Sequence, residues 1–330
     1  MRFFCEKCGR TYPIDGLNYK CDCGGLFKLR KDGSESVELP ISLGEAQTPL
    51  VRKELFGARV LLKMDFQMPT GSFKDRGSVV LINKLKKMGI KEVVEDSSGN
   101  AGASVAAYCA AAGIKCHVYV PENTSAPRLH QMAAYGAHIV KVPGGRDNAA
   151  KAAQEAAGKT YYASHVYNPL FFEGTKSLAY ELYVQIGFPD TIFVPAGNGT
   201  MLLGAYIGFK ELGLLPKIIA VQSENCCPLY NRFNEMLLQA ETKPTIADGI
   251  AIPHPPRLDE MAAAIRESRG NVMTVSEDEI MAANEMLGKM GIFVEDTSAT
   301  VVAAAKKYFK NGFNNMRKVV IPLTGSGLKK

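Results

Sequence analysis

The chain has 330 residues, about two domains' worth of material, which excludes a small module and allows a sizeable core. Hydrophobic residues make up 46% and charged residues 22%, ordinary for a soluble globular protein, so a disordered tail protein and a collagen-like fibre are excluded. The 39 Lys and Arg against 33 Asp and Glu leave a net charge of +6 with no block of like charge, so no nucleic-acid partner is suggested.

At the N-terminus, MRFFCEKCGR lacks the long apolar core and cleavage site of a secretory signal. The longest apolar-leaning run, Ala101 to Ile114, is too short to span a bilayer, so the expectation is a cytoplasmic protein with no membrane partner. Four of the eight cysteines fall in the first 23 residues: Cys5-x-x-Cys8 before Gly9, then Cys21-x-Cys23 before Gly24 and Gly25. In a reducing compartment such crowding points to metal. Two thiolate pairs on tight turns can close a tetrahedron, so residues 1–30 read as a zinc-ribbon-like head with Cys5, Cys8, Cys21 and Cys23 on a structural Zn2+. A four-thiolate site leaves no open position for substrate. The competing readings are four unligated thiols on a loose arm, or a redox pair, which would need a strand and a helix around it.

Polar residues from Lys31 to Glu38 read as a linker. Beyond it, strand-length apolar segments alternate with helical stretches rich in alanine. The strand candidates are Val60 to Leu62, Glu92 to Glu95, His117 to Val120, Ile139 to Val142, Thr191 to Val194, Ile218 to Val221 and Val319 to Ile321. Helical periodicity marks Ser78 to Met88, Ala101 to Ala112, Ala126 to Tyr135, Ala149 to Ala157, Thr175 to Ile186 and Met201 to Leu212. Alternation of this kind predicts an α/β protein with doubly wound parallel sheets. Pro244, Pro253, Pro255 and Pro256 forbid long regular elements over Thr242 to Arg257.

Ligands of such sheets sit beyond the carboxyl ends of strands, where helix N-termini offer free amides. In MPTGSFKDRG, Lys74 follows a Gly-Ser turn at a helix start, whose amides favour a neutral, nucleophilic amine. Ser97-Ser98-Gly99-Asn100-Ala101-Gly102 and Ala196-Gly197-Asn198-Gly199-Thr200 each follow a strand and precede a helix, and their glycines let amides converge on a phosphate. The second loop fits neither the dinucleotide fingerprint, since Leu202 stands at its third glycine, nor a nucleoside triphosphate loop. One phosphate cradle with one activated lysine suggests a phosphorylated aldehyde cofactor, pyridoxal 5'-phosphate.

These segments resemble a known family. PTGSFKDRG, SLGEAQTPL (42–50), SSGNAGAS, GNGT, GIFVEDTSA (291–299) and LTGSGLK are similar in order and kind to motifs of the tryptophan-synthase-β-like, fold type II pyridoxal-phosphate enzymes, most closely the threonine synthases. The resemblance runs from about Ser42 to Leu328, and the cysteine head resembles one found on some threonine synthases. It implies two parallel-sheet domains, the smaller at 61–164 and the larger at 31–60 with 165–330, and a homodimer. It implies a lyase of amino-acid biosynthesis acting on a small amino-acid substrate. Carried over, Lys74 holds the cofactor covalently and moves protons. Asn100 meets the phenolic oxygen, Gly197, Asn198, Gly199 and Thr200 bind the phosphate, and Thr324 faces the ring nitrogen. Glu295 stands where the family has a glutamate near the cofactor; a helix-capping carboxylate is the other reading. His165 is assigned no role.

Threonine synthases generally grip the phosphate of O-phosphohomoserine with a hydroxyl after the loop asparagine and an arginine after an Asn-Pro pair. Here Ala101 follows Asn100, and Leu170, Phe171 and Phe172 follow Asn168-Pro169. Lys63, Arg76, Arg128 and Lys176 are the other cations that could serve. Three readings follow. The first is threonine synthase. The second is a relative that releases ammonia from threonine or serine, or replaces a β-substituent with a sulfur nucleophile. The third is a non-catalytic scaffold, which has no need of Lys74, Asn100 and Thr324 together.

Overall fold

The computed structural model describes residues 1–31, 38–236, 242–310 and 318–329. The linker expected over Lys31 to Glu38 falls, but for its two ends, outside the described residues. The head carries three short strands, β1 (Arg2–Cys5), β2 (Thr11–Tyr12) and β3 (Phe27–Arg30), paired antiparallel in the order β2-β1-β3. Next, β4 (Leu50–Leu55) and β5 (Ala58–Lys63) form a hairpin. Its two-residue turn has φ of 57° at Phe56 and 75° at Gly57, the turn geometry whose twist matches that of the strands.

Helices and strands then alternate: α1 (Asp75–Lys87), β6 (Glu92–Glu95), α2 (Asn100–Ala112), β7 (Lys115–Pro121), α3 (Ala126–Ala134), β8 (His138–Val142), α4 (Arg146–Ala156) and β9 (Tyr161–Tyr162). There follow α5 (Pro169–Thr175), α6 (Ser177–Ile186), β10 (Thr191–Pro195), α7 (Thr200–Glu211), β11 (Lys217–Ser223) and α8 (Pro228–Phe233). The chain closes with α9 (Leu258–Glu267), β12 (Asn271–Val275), α10 (Glu277–Lys289), α11 (Asp296–Lys310) and β13 (Val319–Pro322). Each expected strand lies within β5, β6, β7, β8, β10, β11 or β13. The helix expected over Thr175 to Ile186 is α6, which starts two residues later at Ser177, Thr175 being the last residue of α5. Among the described residues of the proline-rich connection, a single 3-10 turn at Asp248–Ile250 is the only regular element, because proline removes a donor and fixes φ. No helix among the described residues is long and apolar enough to cross a membrane.

The chain divides into two compact units, 1–45 with 74–174, and 46–73 with 175–330. In the first, β8-β7-β6-β9 form an all-parallel sheet. Its core draws on the head: Phe3, Cys5, Cys21 and Phe27 belong to the same buried cluster as Leu81, Tyr108, Val118 and Phe171. Tyr161 donates to the Ile14 carbonyl at 2.9 Å, and Lys31 pairs with Glu173. The cysteine head is thus one layer of this unit's core.

The second unit holds the sheet β12-β11-β10-β13-β5-β4, parallel except at the β4 edge. Val60, Leu62, Phe193, Ile219 and Ile321 meet Val301, Val302 and Ala305 of α11, a helix with most of its residues buried. Lys63, wholly buried at the end of β5, pairs with Glu181 and donates to the Thr48 carbonyl at 2.6 Å and to Gln185 Oε1 at 2.9 Å. A buried ammonium needs such partners. Both sheets aim their strand ends at helix N-termini, where ligands of this architecture bind.

Candidate active site

In the first unit Lys74 stands half-buried immediately before α1. The helix start is fixed from below: Ser104 Oγ of α2 lies 2.6 Å from the buried Asp75 Oδ1 and 2.7 Å from Ser78 Oγ. A Cβ on Gly77 would overlap the Phe171 ring, so the glycine is what lets that ring lie on α1. Lys74 Nζ is 6.0 Å from the centre of the same ring, whose edge meets His165 with centroids 6.0 Å apart. His165 Nδ1 in turn lies 2.7 Å from Glu95 Oε1 at the end of β6. Asp96 follows, then the Ser97–Gly99 turn, with Asn100 the first residue of α2. A Cβ on Gly102 would overlap the Ser97 carbonyl, so this loop presses flat against its own helix.

The electrostatics of this pocket are unusual. Burial, reinforced by Asp96, pushes the Glu95 carboxyl well above the usual range, against the pull of Lys74. Burial and then the charge of Lys74 hold His165 well below the usual imidazole value, so it is neutral. Burial raises Asp96 as well, and the nearby Tyr162 hydroxyl resists the rise. Glu95 Oε2, Asp96 Oδ1 and the Tyr162 hydroxyl are shut from solvent without a hydrogen-bond partner. Nothing in sequence periodicity marks this group. The available signal was an acidic pair, Glu95-Asp96, directly after the apolar Val93 and Val94 of β6.

In the second unit β10 runs out at Pro195 and α7 begins at Thr200. Gly199 holds the cap position with φ of 80°, and no side chain caps the helix, so Asn198 is not its cap. A Cβ on Gly199 would overlap Met261 Sδ, and one on Gly197 would stand 3.0 Å from Ile250 Cα. Bare backbone is required at both places, leaving the amides of the loop and of the first helical turn as the surface offered to a ligand. Thr175 Oγ1 and Gln222 Nε2 each donate at 2.9 Å, to the carbonyls of Thr200 and Ala196, and brace the loop.

Thr324 follows β13 and is 1% exposed. Its amide donates to Ser298 Oγ at 2.9 Å, and its hydroxyl lies 3.1 Å from Ser298 Oγ and 3.4 Å from Glu295 Oε1. Glu295 precedes α11 and lies across Gly325, where a Cβ would overlap its carboxylate. The stretch leading to Lys74 is stitched to the same corner: Phe66 and Phe73 amides donate to Leu323 and Thr324 carbonyls at 2.8 and 2.9 Å, and Ser326 to Gly71 at 2.9 Å. Ser72 Oγ is buried there with no partner. Within the second unit, a bare-backbone anion cradle, a buried hydroxyl for a ring nitrogen and an orphaned buried hydroxyl beside it fit the phosphate and ring of a phosphorylated pyridine aldehyde, and the lysine at a helix start in the first unit is of the kind that binds an aldehyde.

This chain belongs to the pyridoxal-phosphate dependent enzyme family, whose model matches residues 41–325. It is an α/β enzyme of the fold type II class. Within that class it is similar to curated threonine synthases. That of Methanocaldococcus jannaschii is 34% identical over 98% of this chain and 92% of its own, and that of Halalkalibacterium halodurans 33% identical over 88% and 84%. Among solved structures, serine racemase from Dictyostelium discoideum superposes with a TM-score of 0.74 at 29% identity, covering 85% of this chain and 92% of its own. Maize serine racemase gives 0.76 at 25%, with 86% and 88% covered.

The four head thiols also converge. Cys5 and Cys23 sulfurs are 3.6 Å apart, Cys8 and Cys21 sulfurs 3.4 Å, and all four lie within 4.8 Å of one another. Four sulfurs about 2.3 Å from one zinc stand roughly 3.8 Å apart. The turns that bring them there close by Gly9 N to Cys5 O and Gly24 N to Cys21 O, each 2.8 Å. Tyr12 hydroxyl, 3.2 Å from Cys21 Sγ, draws that thiol down to about 6, toward its metal-binding form.

Of the cations the sequence offered for a substrate phosphate, Lys63 is enclosed with Glu181 and Lys176 pairs with Glu211 at 2.8 Å. Arg76 is 4% exposed, and Arg128 lies on the exposed side of α3.

Proposed function

We propose that the protein is a threonine synthase, which removes phosphate from O-phosphohomoserine and adds water at Cβ to give threonine. The naming of its curated relatives supports this over nearly the whole chain. The observation that carries it at the site is Lys74 at the head of α1, directly after a segment bonded to the Thr324 corner. When bound, pyridoxal phosphate supplies an electron sink for negative charge at the substrate carbons. In this reading Lys74 holds the cofactor and carries protons to and from Cα and Cβ. Asn100 binds the phenolic oxygen, and the amides of Gly197, Asn198, Gly199 and Thr200 bind the cofactor phosphate. Thr324, steadied by Ser298 and Glu295, meets the ring nitrogen. A hydroxyl there does not hold that nitrogen fully protonated, which makes the ring a milder sink suited to eliminations and replacements.

A second reading, ammonia release from threonine or serine or β-replacement by a sulfur nucleophile, is favoured by one observation. The segment after Asn168-Pro169 presents Leu170 and Phe171, both fully buried, with Phe171 facing Lys74. Incubation with O-phosphohomoserine, threonine and serine, assaying phosphate, threonine and 2-oxo acid, separates the two. Phosphate with threonine is expected; oxo acid alone selects the second reading. Lys74→Ala is expected to abolish both turnover and borohydride-trapped attachment of the cofactor, read by mass spectrometry.

The same reading includes a structural Zn2+ on Cys5, Cys8, Cys21 and Cys23, supported by the converging thiols, and a homodimer, which sedimentation velocity checks.

A further inference from the structure

Glu95, Asp96 and His165 are not used by the chemistry proposed above. One ligand atom from each lies within 4.8 Å of the others. Glu95 is 0% and His165 4% exposed, and Glu95 Oε2 and Asp96 Oδ1 have no partner although closed off from water. Carboxylate oxygens left so are costly unless something positive meets them. Beside Asp96 the Tyr162 hydroxyl, on a residue 3% exposed, is likewise shut from solvent without a hydrogen bond of good geometry.

We propose that Glu95, Asp96 and His165 hold one divalent cation beside Lys74, and that this cation supplies the positive charge that grips a phosphorylated substrate in the first unit. Cis ligands at about 2.1 Å from an octahedral cation stand roughly 2.9 Å apart, close to the 2.7 Å between His165 Nδ1 and Glu95 Oε1. The cation takes the place of the hydrogen bond between those two atoms. Two carboxylates and an imidazole, with no thiolate, select Mn2+ ahead of Mg2+, whereas zinc favours the cysteine head. Lys74 and Arg146 also act on this group, so a dication leaves the place net positive, and phosphate oxygens can complete its shell. Lys63 and Lys176 are engaged with carboxylates elsewhere. The phosphate-gripping part rests on the threonine-synthase reading; cation binding does not.

The test is titration of zinc-loaded, cofactor-loaded protein with Mn2+, reading free Mn2+ by electron paramagnetic resonance. One Mn2+ per chain is expected. Glu95→Gln and Asp96→Asn should each weaken binding at least tenfold while the cofactor's visible absorbance persists, which keeps failure of the cation site distinct from failure of the cofactor reading. O-phosphohomoserine should tighten Mn2+ binding about tenfold. No stoichiometric Mn2+ on the wild-type protein, or Mn2+ bound equally well by both folded variants, overturns the site; should the variants not fold, the wild-type titration decides alone. Binding untouched by the phosphate ester overturns the gripping role.

Discussion

At Gly25 an added Cβ would overlap the Cys5 sulfur and come within 3.4 Å of that of Cys23. Neighbouring Gly24 has φ of 80° but open space where its Cβ would lie. The two glycines therefore answer to different physics, and their alanine variants separate them. Gly24→Ala should cost about 1 kcal/mol of stability, the strain of a left-handed residue, and keep the proposed zinc. Gly25→Ala should lose it, with at least tenfold weaker zinc retention in chelator competition. A different single-residue effect belongs to Glu277, which accepts from Ile246 N and Ser223 Oγ at 2.8 Å and Thr245 Oγ1 at 2.7 Å. Partial burial pushes its carboxyl up, but those three donors outweigh that and hold it below its ordinary 4.5. A carboxyl depressed by folding adds stability above its unfolded value, and the addition is lost as pH falls through the folded one. Glu277→Gln should therefore lower the urea midpoint at pH 7, and the difference should shrink progressively as the pH falls below about 4.3.

The seating of α1 shows how propensity and packing oppose each other within one element. Alanine is favoured over glycine in a helix by about 1 kcal/mol, yet a Cβ at Gly77 would overlap three atoms of the Phe171 ring. Overpacking of this kind typically costs about 1–3 kcal/mol, so Gly77→Ala should destabilise by up to about 2 kcal/mol in urea unfolding. Adding Phe171→Leu should recover part of it; a stabilised single variant would show that the ring moves aside freely. Elements such as α1 were legible because their periodicity is local, and β10 and β11 because strands covered on both faces read as unbroken apolar runs. By contrast β4, LVRKEL, alternates with charges because it is the antiparallel edge, and β12 exposes Asn271. Neither announces itself as a run. Lys74, Asn100 and the Gly197–Thr200 loop could be singled out for a similar local reason, since each stands near glycine at a helix start. The pairing of Glu95 with His165 joins positions seventy apart, and only the fold brings them together.

For the molecule as a whole, the question is what the cysteine head supports. Its strand β1 pairs along its length with β3, and Phe3 stacks on Phe27 with centroids 5.5 Å apart. Those rings, with the buried Cys5 and Cys21, lie in one cluster with Leu81 of α1, Tyr108 of α2 and Val118 of β7. Tyr19 adds an edge contact to Tyr162 of β9 at 5.4 Å. A head built this way cannot loosen without uncovering the first unit's core. If the head holds the proposed zinc, removing it by chelation, or replacing Cys5 and Cys8 with Ser, should cost the first unit a few kcal/mol, each lowering Tm by about 2–4 °C in a chain of this size class. Amide exchange should then accelerate in β6 and β7 as well as in β1 and β3. Exchange confined to the head would mean that the shared cluster survives without its sulfur-bound corner, and that the metal organises only the turns around it.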